Sequence, residues 1–314
     1  MLKVGLVGAG GISDAHISAW DAMEETHLTA LCDIRPERLS RYPDKHGYTD
    51  FDQMIEKENL DILDICLPTF LHADYAVRAL NHGIHVICEK PISLKESDVD
   101  RIYQAAGRHR AQFMVAQVLR FWPEYELIKD IYDTKKYGRL LSASMSRLGG
   151  TPKWSWDNWM LDEDRSGLVP FDLHIHELDF ITYAFGAPKN HKIHRIKRPE
   201  QDYLNIVYEY PDFFISAEAA WYAAPYPFRA SYRFQFENAL IVYEGDQCTI
   251  YENNGAVIDL TNAHSGETGD INLPKSNAYA NEIRYFTNCI LEGRSPDKIK
   301  AGELTAILQI MNQI

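Results

Sequence analysis

Hydrophobic and polar positions follow two different patterns along the chain, and the change falls near residue 120. In the first part, short continuous apolar runs alternate with segments of helical spacing. Such an order is typical of a parallel sheet that helices cover on both faces. The predicted strands are LKVGLVG, HLTALCD, LDILDICL, IHVICEK and QFMVAQV, and the predicted helices span 12–24, 71–82 and 95–109, followed by 123–135.

Beyond about residue 138 the chain is rich in strand-forming residues, and polar and apolar positions often alternate. This pattern predicts a large, mostly antiparallel open sheet in an α+β domain. The predicted strands are LLSASMSR, NHKIHRIK, YLNIVYEY, FFISAEAAWY, RASYRFQFE, ALIVYEG and CTIYEN, and helices are predicted over 276–292 and 301–314. We therefore predict an α/β domain over residues 1–120 and an α+β domain over residues 121–314.

Composition narrows the class of protein. A chain of 314 residues is long enough for two domains, and 46% hydrophobic residues is ordinary for a globular protein. The formal net charge of −13 argues against binding to nucleic acid or to an anionic membrane. No apolar run approaches the roughly 20 residues of a membrane span. Five scattered cysteines without a CxxC motif predict buried, reduced thiols in a cytoplasmic protein.

The stretch GLVGAGGIS follows the first predicted strand and opens the first predicted helix. Gly8 and Gly10 fit the first two positions of G-x-G-x-x-G, while Ser13 occupies the third. Gly8 permits a tight turn, and Gly10 lets backbone amides approach a pyrophosphate at the helix N-terminus. Asp33 ends the second strand, where an acid accepts hydrogen bonds from the adenosine ribose. Dinucleotide binding is favoured over the alternative that Asp33 only caps the helix starting near Pro36.

Two further stretches, LPTFLH and CEKPIS, end the middle strands of the predicted parallel sheet. Ligands of open α/β sheets bind outside the carboxyl ends of the strands, so both stretches should line one crevice. Lys90 in the second stretch can donate a hydrogen bond to a substrate oxygen. The alternative is a surface lysine beside the turn residue Pro91.

The stretch DLHIHELD, residues 172–179, places acids and histidines close together. A helix over 172–185 would put Asp172, His176, Asp179 and Tyr183 on one stripe, and it would turn His174 away from them. Two histidines on opposite sides of a helix do not form one metal site, so we predict no metal; ligation by Asp172, His176 and Asp179 is the alternative. A neutral imidazole suits proton transfer near pH 7. A solvated helix face is the alternative.

In this order, GLVGAGGIS, Asp33, LPTFLHADYAVRALNHGIHVICEKPIS, RFWP and DLHIH resemble the glucose-fructose oxidoreductase/inositol dehydrogenase (Gfo/Idh/MocA) family. The motifs cover residues 1 to about 190. The resemblance implies a Rossmann domain, a second domain built on a large open sheet, and oxidation or reduction of sugars, cyclitols and related polyols with NAD or NADP. Two departures are His174, where the family often has glycine, and SGLVPF, where only Gly167 remains of a glycine-rich run.

The resemblance also implies roles for individual residues. Lys90 matches the lysine that meets substrate and nicotinamide ribose, and His176 matches the proton-transfer histidine, with Asp172 as its partner. The predicted catalytic residues are Lys90, Asp172 and His176. The predicted cofactor-binding residues are Gly8, Gly10, Gly11, Ile12, Asp33, Arg35, Pro68, Thr69, His72, Glu89 and Lys90. The predicted substrate-binding residues are Lys90, Arg120, Trp159, Asp172 and His176.

These observations predict an NAD-dependent oxidoreductase, with NADP as a possible cofactor. A reductase of a keto-sugar or a cyclic tetrapyrrole-like ketone is a second enzymatic interpretation, and a dinucleotide-sensing regulator without turnover is a third. The tryptophans at 154, 156 and 159 fit either a sugar ring or a packed domain edge. Arg120 fits either substrate contact or an anchor at the domain junction. An open sheet needs cover, so a homodimer or homotetramer is expected.

Overall fold

The computed structural model describes residues 1–245, 247–261 and 277–314. These residues pack into two compact units, and the chain first passes from one unit to the other between Gln117 and Val118. The first unit holds Met1–Gln117 and also Tyr279–Thr305, and the second holds most of the remainder, including Ala306–Ile314. The sequence placed the division at residue 120 and assigned all later residues to the second domain, so residues 279–305 group differently from that expectation. The functional division into cofactor and substrate domains stays a prediction at this point.

The first unit is built on a six-stranded parallel sheet with the order β3-β2-β1-β4-β5-β6. The order reverses between β1 and β4, where the crevice of a doubly wound sheet lies. The strands β4, β5 and β6 are mostly apolar and are buried along most of their length, as expected for a sheet covered on both faces. Its strands are β1 (Leu2–Val7), β2 (Thr26–Cys32), β3 (His46–Tyr48), β4 (Ile62–Ile65), β5 (His85–Glu89) and β6 (Phe113–Ala116).

The helices that connect these strands agree with the predicted spans at 12–24, 71–82 and 95–109. Two short helices and the edge strand β3 were not among the predicted elements. One helix, near Pro36, entered only as the alternative for Asp33, and the other was missed although Phe51, Met54 and Ile55 have helical spacing. Asp50 caps one of them by accepting a hydrogen bond from the backbone N–H of Gln53 at 2.9 Å. The helices are α1 (Ser13–Asp21), α2 (Pro36–Leu39), α3 (Phe51–Glu58), α4 (His72–Asn81) and α5 (Glu96–His109).

The second unit contains an eight-stranded sheet with the order β14-β13-β12-β11-β7-β10-β9-β8. Every pairing is antiparallel except that of β7 with β10. All the predicted strands of this half are present, and β14 is an addition. The strands are β7 (Leu140–Gly150), β8 (Asn190–Arg198), β9 (Gln201–Glu209), β10 (Phe214–Tyr222), β11 (Arg229–Phe236), β12 (Ala239–Glu244), β13 (Gln247–Glu252) and β14 (Val257–Asp259). The prediction of an α/β domain followed by a mostly antiparallel sheet domain is confirmed.

One face of this sheet forms an aromatic core with the helices of its own unit. The ring of Tyr125 lies 5.0 Å from that of Phe180 and 5.2 Å from that of Tyr232, measured between centroids. The other face carries half-exposed side chains, as the alternation of burial along β9 and most of β10 requires. The remaining helices are α6 (Pro123–Thr134), α7 (Glu163–Ser166), α8 (Ile175–Phe185), α9 (Ala278–Leu291) and α10 (Ala301–Met311). Residue 276, the first of the predicted helix 276–292, lies outside the described residues.

All five cysteines are buried, and no disulfide joins them, which agrees with the predicted reduced thiols. Within residues 1–245, 247–261 and 277–314, no helix has both the length and the apolar character needed to cross a membrane.

Candidate active site

The glycine loop leaves β1 in a conformation that only glycine satisfies. Gly8 has φ of +95°, and a Cβ at this position would lie 2.5 Å from the carbonyl oxygen of Cys66. Its backbone N–H donates to the carbonyl of Cys32 at 2.8 Å. A Cβ on Gly10 or Gly11 would meet no atom within 4 Å, so the backbone before α1 is open. This open, positively polarised helix N-terminus suits a pyrophosphate.

Asp33 follows β2 and is 6% exposed. One carboxylate oxygen accepts the Ala9 backbone N–H at 3.0 Å, and the other accepts the Arg35 backbone N–H at 2.9 Å. The Arg35 guanidinium also donates to both oxygens, at 3.2 and 3.4 Å. The predicted ribose acceptor is therefore fixed against the glycine loop, with a cation already at its side.

His72, at the start of α4, joins the loops that follow β4 and β5. Its Nδ1 lies 2.7 Å from the carbonyl oxygen of Pro91, and its Nε2 lies 2.7 Å from that of Leu67. The ring is 1% exposed, and burial lowers the pKa of His72, although both carbonyl acceptors favour the charged form. In this structure His72 holds the two loops together. Thr69 beside it is buried, and Pro68 is half-buried.

A buried polar cluster beneath the loop was not predicted. His16 of α1 is fully buried, with Nδ1 2.8 Å from Asp64 Oδ2 and Nε2 3.0 Å from Glu89 Oε1. Asp64 also accepts the Trp20 indole N–H at 2.7 Å and the Cys66 thiol at 3.6 Å. The available signal was Asp64 itself, a carboxylate inside the apolar strand ILDI, because a charge buried there requires a partner.

The charge state of the cluster follows from its contacts. Both imidazole nitrogens face carboxylate oxygens, so both donate when the ring is protonated. Burial is the largest single influence and opposes the charged ring, but the interactions with Asp64 and Cys66 together outweigh it and raise the pKa of His16 well above its usual range. His16, Asp64 and Cys66 are also the one group of potential metal ligands among the described residues. Their ligand atoms lie within 4.8 Å of one another, and the absence of a metal stays a prediction.

Glu89 ends β5 and connects this cluster to the predicted catalytic lysine. Its Oε2 accepts the backbone N–H of Lys90 at 3.1 Å, while its Oε1 faces His16. Glu89 is 7% exposed and Lys90 is half-buried. The peptide bond between Lys90 and Pro91 is cis.

In the second unit, the acid-histidine stretch begins differently from the predicted helix over 172–185. A π-helical turn spans Pro170–His174, and α8 starts only at Ile175. Asp172 and His176 are both half-buried on this segment, whereas His174 is fully buried. His174 Nε2 lies 2.7 Å from the hydroxyl of Tyr208 on β9, and the two rings stack. The predicted separation of His174 from His176 is confirmed.

Two buried ion pairs hold this segment within its unit. Asp179 accepts two hydrogen bonds from Arg120, Nε to Oδ2 at 2.9 Å and Nη2 to Oδ1 at 2.7 Å. Glu177 accepts from Arg147 of β7 at 2.9 Å. Asp179, which the sequence left as a conceivable metal ligand, is thus engaged by an arginine. Arg120 is fully buried, which favours the alternative role of an anchor, and its substrate contact stays a prediction.

The turn before the stretch is SGLVPF, in which Gly167 is the one glycine, and two of its residues have left-handed backbone conformations. Gly167 has φ of +72°, and a Cβ there would lie 2.4 Å from the Phe171 ring. Leu168, which follows it, has φ of +57°, a conformation that costs a non-glycine residue about 1–2 kcal/mol. Leu168 thus adopts a left-handed conformation that glycine would adopt without this cost.

The tryptophans divide by exposure. Trp154 is 76% and Trp156 40% exposed, whereas Trp159 is half-buried. Between them, Asp157 and Asn158 adopt left-handed backbone conformations. Of the three rings, Trp159 best matches the half-buried surface that its predicted substrate contact requires, and that contact stays a prediction.

Comparison with known proteins identifies the family. Residues 2–117 match the model of an oxidoreductase family with an NAD-binding Rossmann fold, and residues 125–244 match the Gfo/Idh/MocA C-terminal domain. The chain belongs to the Gfo/Idh/MocA family. The predicted nicotinamide dinucleotide cofactor is confirmed at the level of this family, whose N-terminal domain is NAD-binding.

The chain is similar to myo-inositol 2-dehydrogenase of Thermotoga maritima, with 26% identity over 59% of this chain and 55% of that protein. It is 28% identical to levoglucosan dehydrogenase of Pseudarthrobacter phenanthrenivorans over 59% of this chain and 51% of that one. It is also 28% identical to 2,7-anhydro-N-acetylneuraminate hydratase of Mediterraneibacter gnavus, over 44% and 37%. The alignments therefore span about half the length of these curated relatives, or less.

Solved structures share the fold. A levoglucosan dehydrogenase in complex with NADH and levoglucosan has a TM-score of 0.81 at 20% identity, covering 100% of this chain and 96% of that one. An oxidoreductase of Desulfitobacterium hafniense, described as NADPH-dependent, has a TM-score of 0.83 at 16% identity, covering 99% and 94%. At these identities the likeness shows the fold alone.

His174 generates a prediction about acid stability. Burial and the nearby charge of Arg147 lower the pKa of His174 from 6.5 to about 3. Between about pH 6.5 and pH 3, His174 binds a proton in the unfolded chain but stays neutral in the folded chain. The free energy of unfolding therefore decreases by about 1.4 kcal/mol for each pH unit as the pH falls through this window. His174→Gln should remove that slope while keeping a donor for Tyr208.

The measurement is urea unfolding at pH 7 and pH 4.5. The free energy of unfolding should fall between these pH values by about 2–3 kcal/mol more in the wild type than in His174→Gln. His194→Gln, at an exposed position of β8, is the control and should behave as the wild type does. Equal pH slopes in the wild type and in His174→Gln would contradict a buried neutral imidazole.

Proposed function

We propose that this protein is an oxidoreductase that transfers a hydride between NAD and a C–OH/C=O centre of a sugar, cyclitol or related polyol. The observation that carries the proposal is the glycine loop at the switch point of a 3-2-1-4-5-6 sheet, with Asp33 held beside it, in a chain that also retains Lys90, Asp172 and His176. A sensor without turnover has no chemical need for all three of these side chains.

The proposed chemistry assigns each side chain a separate task. The bound nicotinamide supplies the hydride acceptor or donor. His176 takes the hydroxyl proton as a general base, and Asp172 orients the imidazole or a neighbouring substrate hydroxyl. The Lys90 ammonium stabilises the negative charge that develops on the substrate oxygen. In the reverse direction, protonated His176 returns the proton to the carbonyl oxygen.

The deciding experiment is a turnover screen of sugars and inositols, and of their keto forms, with NAD and NADP. Appearance or loss of reduced nicotinamide identifies a dehydrogenase or a reductase. Because one relative is named a hydratase, substrate consumption is followed by mass spectrometry as well, so that a reaction without net oxidation is also detected. NAD binding with no conversion of any substrate would favour the sensing interpretation.

The proton-transfer role of His176 predicts a specific kinetic defect. His176→Ala should lower kcat by about 100-fold or more, because a positioned base contributes about that factor. The dissociation constant for NADH, measured by fluorescence titration, should change little. His194→Ala is the control on an exposed histidine of the same unit and should keep full activity. Equal losses of kcat and of NADH affinity would remove His176 as the base.

The fixed position of Asp33 predicts a preference for NAD. Its carboxylate can accept hydrogen bonds from free ribose hydroxyls, whereas a 2′-phosphate would meet like charge. Arg35 works against this preference, because its guanidinium lies on the same carboxylate and can turn to a phosphate. Asp33→Ala should lower the ratio of kcat/KM for NAD to that for NADP by about tenfold or more.

Arg35→Ala is the matched variant and should reduce the use of NADP more than the use of NAD. A wild-type protein that uses both cofactors equally well would show that Arg35 offsets the repulsion and that Asp33 is not the discriminating residue.

We also propose that the protein forms a homodimer or homotetramer through the outer face of the eight-stranded sheet. The support is a row of cross-strand neighbours on this face that runs from Phe214 through two polar residues to Leu240 and Tyr251. The apolar side chains in this row are partly exposed, Phe214 at 50%, Tyr251 at 46% and Leu240 at 36%. Burial of such a patch against a second copy is favourable by about 25 cal/mol per Å² of apolar surface.

Sedimentation at micromolar concentration should therefore show a dimer or tetramer. Phe214→Glu should shift the population toward the monomer, because it places a charge within the surface that the second copy would bury. Leu291→Glu, at an exposed position of α9, is the control and should leave the assembly intact. A stable wild-type monomer would refute the proposal.

A further inference from the structure

The buried cluster around His16 is costly as a purely structural device. Two carboxylates and an imidazole are removed from water, and replacing such groups by apolar side chains is often neutral or stabilising. The helix α1 already has apolar anchors, since Ile17, Ala19 and Trp20 are all buried. Packing of α1 alone therefore does not explain why three ionisable groups meet here.

The cluster leads by direct contacts to the lysine. The Asp64 carboxylate forms hydrogen bonds with His16, Trp20 and Cys66, and these bonds fix it on β4. The opposite nitrogen of His16 contacts Oε1 of Glu89. The second oxygen of that carboxylate accepts the backbone N–H of Lys90. Each contact in the series Asp64, His16, Glu89 and Lys90 is 3.1 Å or shorter.

We propose that His16 is a positioning residue for Lys90 and acts through the carboxylate of Glu89. The imidazole holds Glu89 in the rotamer that binds the Lys90 N–H, and this bond fixes the backbone from which the lysine side chain leaves β5. Because His16 lies one turn into the helix that follows the glycine loop, the same ring sets the lysine relative to that loop. The inference rests on the proposed function, in which Lys90 stabilises the substrate oxygen.

The physical reason is geometric. A catalytic ammonium contributes only when it meets the developing charge at hydrogen-bond distance, and a misplacement of about 1 Å lowers the rate by about 100-fold. A lysine side chain has four rotatable bonds and cannot by itself hold its ammonium in one place. The backbone from which the Lys90 side chain extends must therefore be fixed by other groups. Here that task falls to a buried carboxylate that cannot turn away without leaving the imidazole.

The principal variant is His16→Gln, which approximates the volume of histidine but carries both N–H groups on one nitrogen, whereas the imidazole meets the two carboxylates through separate nitrogens. It should lower kcat by about 10–100-fold and leave the dissociation constant for NADH within about threefold. Glu89→Ala should give a similar loss of kcat. The double variant should be no slower than Glu89→Ala alone, because His16 acts only through Glu89. Additive losses in the double variant would overturn the proposal.

A matched control separates positioning from folding. Ile17→Ala removes packing from the same helix and touches none of the polar contacts. It should lower the melting temperature about as much as His16→Gln does, with kcat per folded molecule unchanged. If Ile17→Ala and His16→Gln reduce kcat equally at equal loss of stability, His16 is only structural.

A second readout needs no substrate. An amine-reactive label competes for Lys90 and for the exposed Lys95 on the same peptide, and mass spectrometry gives the ratio of labelling. In His16→Gln and in Glu89→Ala the Lys90/Lys95 ratio should rise at least about twofold, since Lys90 loses its fixed orientation. Ile17→Ala should retain the wild-type ratio. If His16→Gln does not fold, Glu89→Ala must produce the rise by itself, and its absence would refute the inference.

The kinetic measurement and the labelling measurement together distinguish a failure of the inference from a failure of the proposed function. If no substrate is turned over but the labelling ratio responds as expected, the positioning device stands and the assigned reaction fails. If the wild type turns over a polyol while His16→Gln changes neither kcat nor the ratio, the reaction stands and the positioning role fails.

Discussion

The close approach of Gly8 to the carbonyl of Cys66 is the constraint on which the first unit depends. A side chain of any size at this position would collide with the adjacent strand, since even a Cβ would lie 2.5 Å from the oxygen. Only because this contact is possible does β1 lie beside β4 while the chain turns directly into α1. The open amides before α1 and the acceptor Asp33 then face one crevice, as the doubly wound topology requires.

The buried polar cluster adds a second constraint to the same place. Apolar packing fixes how far a helix lies from a sheet, but it allows small shifts along the strand direction. The hydrogen bonds from His16 to Asp64 and to Glu89 remove that freedom, because each needs a definite distance and angle. The cluster thereby relates the three elements α1, β4 and β5, whose ends carry the glycine loop, the Pro68 loop and Lys90.

The second unit uses buried charges for a comparable purpose. Asp179 and Glu177 extend from α8 in different directions and each meets an arginine, while His174 meets Tyr208 on the sheet. These contacts fix both the rotation and the position of the segment that carries Asp172 and His176. The π-helical turn belongs to the same arrangement, because it brings His174 to the sheet while His176 stays half-exposed.

The sequence by itself determined the elements and their class. Apolar runs and helical spacing depend on the period of each local structure, so β1, β4, β5 and most helices follow from short stretches alone. The glycine loop, Asp33 and the acid-histidine stretch are equally local signals. The strand β3 escaped because it is short and polar, whereas the helical spacing of Phe51, Met54 and Ile55 in α3 was a local signal that was missed.

Only the tertiary structure decided which distant side chains meet. His16 is 48 positions from Asp64 and 73 from Glu89, and Arg120 is 59 from Asp179. No local pattern encodes such pairs, since the order of strands in the sheet brings them together. The same holds for residues 279–305, whose helical period was clear but whose place in the first unit depends on contacts across the chain. The periodicity of a segment indicates its secondary structure, whereas the order of the strands determines which distant residues that segment contacts.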